Sequence, residues 1–245
     1  MPQPQLNRRR ILAALGALGA GPFVARALRS PAEAAAPAAT PGLSCVLSPA
    51  MTDGPFFVDE RLDRSDLTTG TSKAGVVGGM PLTLAIGVVG VRPAGCVPVS
   101  GVQIDVWHAD ATGEYSDVGR LAPSGATGQA YLRGYQVSDA DGRVTFRTIY
   151  PGWYPGRTVH IHVKARRFDA AGNATYEFTT QLFFDDAISD VVMASAPYNA
   201  RGTRNVRNAG DFIHGNEASA MVTLRRPVDG ARGYLGSATL GLAMS

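Results

Sequence analysis

Short stretches of alternating or β-branched residues recur along the chain, at Leu82–Val91, Val102–Trp107, Tyr131–Val137, Val144–Ile149, Thr158–Ala165, Tyr176–Phe184 and Ala220–Leu224. A period of two sends successive side chains to opposite faces of an extended chain, so each stretch predicts a strand with one face toward a core. Asp141-Gly142 between two of them predicts a hairpin turn, because glycine takes positive φ without steric cost. Seven short strands with turn signals between them predict an all-β fold, a β-sandwich with long loops. Composition agrees: 29 glycines and 16 prolines among 245 residues suit many turns and argue against a helical bundle.

The chain opens with Arg8, Arg9 and Arg10 before an apolar run, Ile11–Ala25, which is the shape of an export signal. The paired arginines resemble a twin-arginine signal. Gly16, Gly19, Gly21 and Pro22 interrupt the run, and it is shorter than the ~20 residues that a spanning helix needs, so no stable membrane anchor is expected. Residues 1–27 are therefore read as an export signal, 28–44 as an alanine- and proline-rich linker, and 45–245 as one folded domain. The expected location is periplasmic or extracellular. Losing residues 1–27 removes four arginines and no acidic residue, which turns the net charge of +3 into −1. That balance gives no electrostatic case for a nucleic-acid partner.

Cys45 and Cys96 are the two cysteines of a chain that reads as exported, and a disulfide between them is expected. By chain-entropy reasoning such a bridge contributes about 4 kcal/mol.

Two of the four histidines, His160 and His162, stand two apart on a predicted strand, so both imidazoles share one face and can reach one point. Zinc and copper sites use such a pair, and so does a hydrogen-bonded pair with no metal. Tyr154 lies six residues upstream across a glycine- and proline-rich turn, and Tyr115 follows another glycine-containing turn; taken alone, each reads first as a packing residue with a satisfied hydroxyl. His108 and His214 are expected to hydrogen-bond at strand ends, and Tyr131, Tyr135 and Tyr150 to line the core or a pocket. The basic cluster Lys164, Arg166 and Arg167 reads as a solvated strand end.

Taken together, these motifs resemble the intradiol ring-cleavage dioxygenases, whose members include protocatechuate 3,4-dioxygenase subunits and catechol 1,2-dioxygenases. Thr52-Asp53-Gly54-Pro55-Phe56-Phe57 looks like the family's segment near the site entrance. Trp107, Ala109, Asp110, Gly113 and Tyr115 look like the segment with the first tyrosinate; Phe146–Ile149 and Pro151–Pro155 look like the segment with the second; and His160-Ile161-His162 is similar to the histidine pair. The resemblance covers most of residues 45–215.

What the resemblance implies is a non-haem Fe(III) held by Tyr115, Tyr154, His160 and His162. Two phenolates suit a hard ferric ion and lower its charge. The implied reaction opens a catechol-type substrate with O2 to a cis,cis-muconate-type product, with Tyr154 as the phenolate that leaves on substrate binding. Arg157 is implied as a catalytic group that stabilises negative charge on the ring without a proton change, and Gln181 as a residue near the substrate. The family's N-terminal dimerisation helix has no counterpart between Cys45 and Met80, and a homo-oligomer formed by another route is compatible with the sequence. Two rival readings differ in kind: a secreted non-enzymatic β-sandwich binding module, and a zinc or copper protein using the His-x-His pair.

Overall fold

The computed structural model describes residues 45–69, 74–119, 126–215 and 220–244. The segments read as export signal and linker lie outside the described residues. Among the described residues nine strands dominate: β1 (Pro81–Arg92), β2 (Gly95–Pro98), β3 (Gln103–Trp107), β4 (Arg133–Val137), β5 (Arg143–Ile149), β6 (His160–Phe168), β7 (Ala174–Phe183), β8 (Thr223–Arg225) and β9 (Tyr234–Leu242). Two short α-helices, α1 (Ala74–Val77) and α2 (Asp186–Met193), sit in connections. Asp185 caps α2, its carboxylate accepting from the backbone N–H groups of Ala187 and Ile188.

The strands form two sheets. In the first, β1 carries β5 and then β2 along one edge and β9, in parallel, along the other, with β8 beyond β9. The second runs β4-β3-β6-β7, antiparallel throughout. One apolar cluster fills the space between them: Leu82, Leu84, Ile86 and Val88 of β1 with Ile104, Val106, Ile161, Val163 and Ala165 of the second sheet, all nearly or fully excluded from water. The expected β-sandwich is therefore present, with every expected strand.

Two strands went unpredicted. β2 is only four residues long, and β9 reads Tyr-Leu-Gly-Ser-Ala-Thr-Leu-Gly-Leu, too rich in small residues for a strand signal. Tertiary pairing overrides that weak propensity, since β9 lies between β1 and β8 and its Gly241 exchanges hydrogen bonds with Ser48. The Cys45–Cys96 disulfide forms as expected, with Cα atoms 5.4 Å apart, and ties the start of the described chain to β2.

On β6, Ile161, Val163 and Ala165 face the core, which leaves His160, His162, Lys164 and Arg166 on the outer face of the second sheet. That face is not open. A strap of residues 51–67 crosses it in the order β7, β6, β3, β4. Met51 N–H donates to Thr179 O on β7, Lys164 and Arg166 on β6 pair with Asp53 and Asp59, Phe57 packs on Trp107 of β3, and Arg64 N–H donates to Tyr135 O on β4. Lys164 and Arg166 are thereby buried, which corrects the expectation of a solvated strand end. Alternation assigns a side chain to a face but carries no information about what covers that face. Arg166 is held above its usual pKa range: burial opposes its charge, and hydrogen bonds to Asp59 and Asp105 outweigh that penalty.

Candidate active site

Two loops and one strand build the site at the His160 end of the strap. The first loop follows β3 and turns on Asp110, whose Oδ1 accepts from the backbone N–H and hydroxyl of Thr112 and from Glu114 N–H. This turn delivers Tyr115. The second loop follows β5 and delivers Tyr154 and Arg157. The loops meet backbone to backbone, with Gly152 N–H donating to Asp110 O at 3.0 Å. A Cβ on Gly152 would stand 2.3 Å from that same oxygen, so only glycine lets the loops approach this closely.

The side chains that the family resemblance implies as ligands lie close together. His160 Nε2 lies 3.2 Å from His162 Nε2, 3.2 Å from Tyr154 Oη and 3.5 Å from Tyr115 Oη. Tyr115, His160 and His162 are buried and Tyr154 is half-buried. Three of the four rings also pack against other aromatic side chains: Trp107 stacks flat on His162 at 4.8 Å, and Phe56 stacks on Tyr115 at 4.4 Å while meeting Tyr154 edge-on.

Hydrogen bonding alone does not satisfy this cluster. His160 Nδ1 faces the Thr158 carbonyl at 2.7 Å and must donate to it, so His160 Nε2 offers one in-plane lone pair. Tyr115, Tyr154, His162 and Arg157 Nη1 all crowd that single lone pair. Behind them, His162 Nδ1 is buried with no hydrogen-bond partner. A cation would relieve the crowding at His160 Nε2, because each of the four candidate atoms could then direct its own lone pair at one centre. Donors about 2.0 Å from a shared ion stand roughly 3.3 Å apart in a tetrahedral shell, close to the separations seen here. Among the described residues no three His, Cys, Asp or Glu side chains group as a metal site, so an ion held here would need the two phenols as well as the two imidazoles.

Electrostatics keep the unliganded cluster neutral. Burial pushes the Tyr115 phenol well above its usual range, with Tyr154 adding to the shift, and burial likewise raises Tyr154. His160 is pushed down to about 3, by burial first and then by the Arg157 charge; His162 falls well below its usual value through burial and the proximity of His160. Both imidazoles therefore present lone pairs at neutral pH, and a bound cation favours loss of the phenolic protons.

Arg157 reaches the cluster through Nη1, 3.5 Å from His160 Nε2. Gln181 is fully buried, accepting from Arg157 Nη2 and donating to Thr52 O, so it braces the arginine. Asp211 is a site residue that sequence reasoning missed: it salt-bridges Arg157 at 2.8 Å from a turn 54 residues away, a relation with no local signature. His108, just past β3, bonds Ala109 O and Thr148 Oγ1 away from the cluster, and His214 packs edge-on against Phe183 near Met221. Tyr131 and Tyr150 are core residues, and Tyr135 is half-buried on β4.

The profile of the family described as Dioxygenase matches residues 52–213, which include all four ligand candidates. The chain belongs to the intradiol ring-cleavage dioxygenase family. An intradiol ring-cleavage dioxygenase from Tetranychus urticae superposes with a TM-score of 0.67 at 29% identity, over 80% of this chain and 94% of that one. The dioxygenase domain of a dioxygenase–carbohydrate-binding fusion from the cellulolytic bacterium Streptomyces sp. SirexAA-E is 32% identical, over 82% of this chain and 100% of that domain, with a TM-score of 0.57. Catechol 1,2-dioxygenase 1 of Acinetobacter lwoffii is 33% identical over 110 residues, 36% of this chain and 34% of that protein. The match thus spans about a third of this curated relative's length.

Proposed function

We propose that this dioxygenase is Fe(III)-dependent and opens a catechol-type aromatic ring with O2 to a cis,cis-muconate-type product. The observation that carries the reading is the crowding of two phenols and a second imidazole around the single lone pair of His160 Nε2. Tyr115, Tyr154, His160 and His162 would hold the iron, and two phenolates suit the ferric state. When bound, ferric iron supplies the Lewis acidity that ionises the phenols and draws electron density from a catecholate.

The chain's own groups do the rest. Tyr154 is the less buried phenol, so its Oη is the atom placed to leave and to take a proton from an incoming catechol hydroxyl. Tyr115, clamped under Phe56 and buried, stays in place. Arg157 Nη1 points toward the cluster with a permanent charge and stabilises negative charge arising on the substrate. Phe56 and Trp107 keep water from the ligand atoms and lower the local dielectric, which strengthens that interaction.

Export is part of the same reading, supported by the Cys45–Cys96 disulfide, which persists in an oxidising compartment. The substrates would then be catechols outside the cytoplasm. Oxygen-electrode assays of iron-loaded protein on catechol, protocatechuate, hydroxyquinol and chlorinated catechols test the activity. Burgundy protein that consumes O2 with at least one of them is expected; colourless protein that takes up zinc in preference to iron, or no oxygen uptake on any of them, refutes it.

A further inference from the structure

We propose that Asp211 is the positioning residue that aims Arg157: its carboxylate and the Gln181 amide engage two guanidinium nitrogens, so that Nη1 is the one presented to the four-ligand cluster. The inference deepens the proposed function and rests on the cluster being the reaction site.

The geometry is a bracket. Arg157 Nε donates to Asp211 Oδ2 at 2.8 Å and Nη2 donates to Gln181 Oε1 at 2.6 Å, while Nη1 lies 3.5 Å from His160 Nε2. Neither arm of the bracket can swing. Asp211 Oδ2 also accepts from Thr158 N–H at 2.8 Å, and Oδ1 accepts from the N–H groups of Ile213 and His214. Gln181 Nε2 is tied to Thr52 O in the strap. The Asp211 side chain is 0% exposed and that of Arg157 9%, so the pair sits where an ill-placed charge is costly and a fully bonded one is rigid.

Asp211 also reaches the ligand side. The residue whose N–H it fixes, Thr158, offers the carbonyl that receives His160 Nδ1–H. One carboxylate therefore sets both the direction of Arg157 and the strand start that orients the His160 ring. On the solvent side, exposed Phe212 lies beside the same guanidinium at 5.5 Å, so the turn supplying the inner arm also covers the outer face.

A residue acting through Arg157 has a signature that a purely structural ion pair lacks. Asp211→Asn is expected to keep cooperative unfolding and bound iron while kcat falls about 100-fold, with KM moving less. In an Arg157→Ala background the same change should leave kcat/KM within about twofold, because the guanidinium to be aimed is gone and the Asn carbonyl oxygen can still accept from Thr158 N–H, which keeps the strand start and the His160 ring in place. Losses that multiply across the two variants would overturn the proposal. A second readout needs neither iron nor turnover: the Arg157 Nε–H resonance, protected from exchange in metal-free protein, should lose protection in Asp211→Asn. Retained protection would equally overturn it. Should Asp211→Asn not fold, Arg157→Lys poses the same question with Asp211 intact, since it keeps the charge and loses the forked donors. Full activity in that variant refutes the bracket. Wild-type protein inactive on every catechol, with the resonance effect present, defeats the proposed function and leaves the bracket standing.

Discussion

Gly113 stands so close to Trp153 that a Cβ on it would lie 2.0 Å from the Trp153 carbonyl oxygen, and its φ of +78° is one that L side chains rarely adopt. The turn that carries Tyr115 is thus pressed against the loop that carries Tyr154. Gly113→Ala combines left-handed strain with a backbone clash that no rotamer relieves, and is expected to cost at least about 3 kcal/mol and to lower iron occupancy. Gly172→Ala is the control: its φ is +84° but nothing lies within 4 Å, so about 1 kcal/mol is expected. Urea denaturation of both variants gives the comparison, and equal costs would contradict the packing argument.

Much of this was legible in the residue pattern. The seven expected strands rest on alternation, a local property; the shared face of His160 and His162 follows from their spacing, and Tyr115 and Tyr154 join them only through the resemblance of their short motifs to the family's. What was not legible depends on distant chain. β9 pairs only because β1 and β8 are there to receive it, Asp211 is brought to Arg157 by a turn far downstream, and Lys164 and Arg166 read as solvated because the strap over them belongs to residues 51–67.

The four ligand candidates are not equivalent. His160 Nε2 is the atom the other three surround, whereas Tyr154 is partly open to solvent. His160→Ala is expected to lose iron altogether, a drop beyond the 10- to 100-fold typical of outer-shell changes. Tyr154→Phe should retain iron through the remaining three ligands and lose part of the visible phenolate band. Metal analysis with absorption spectra checks both, and iron retained at wild-type level in His160→Ala would contradict the assignment.

His108 supplies a pH dependence with a definite sign. Both ring nitrogens are bonded in the interior, and burial pushes its pKa down to about 4 from the usual 6.5. Between those values the unfolded chain binds a proton that the folded protein refuses, so stability is full above pH 6.5 and falls as pH drops toward 4. The loss amounts to about 3 kcal/mol. Denaturation at pH 7.5 and 4.5 should show it, and His108→Gln should flatten the slope by that amount relative to its parent. An unchanged slope would place the proton uptake elsewhere.

The strap is held asymmetrically, which fixes the order of two mutational costs. Lys164 Nζ pairs with Asp53 Oδ2 at 2.7 Å and lies 4.3 Å from the centre of the Phe57 ring; its side chain is 10% exposed, that of Asp53 37%. Removing the carboxylate strands a buried ammonium, so Asp53→Ala is expected to cost about 3 kcal/mol. Removing the ammonium leaves a carboxylate that water can still reach and that keeps its bond to Thr179 Oγ1, so Lys164→Met, of similar volume and still packed on Phe57, should cost under about 1 kcal/mol. Hydrogen exchange at residues 51–58 should accelerate in Asp53→Ala and stay near wild type in Lys164→Met. The reverse order would mean that the cation, through its contact with Phe57, holds the strap and that the ion pair is incidental.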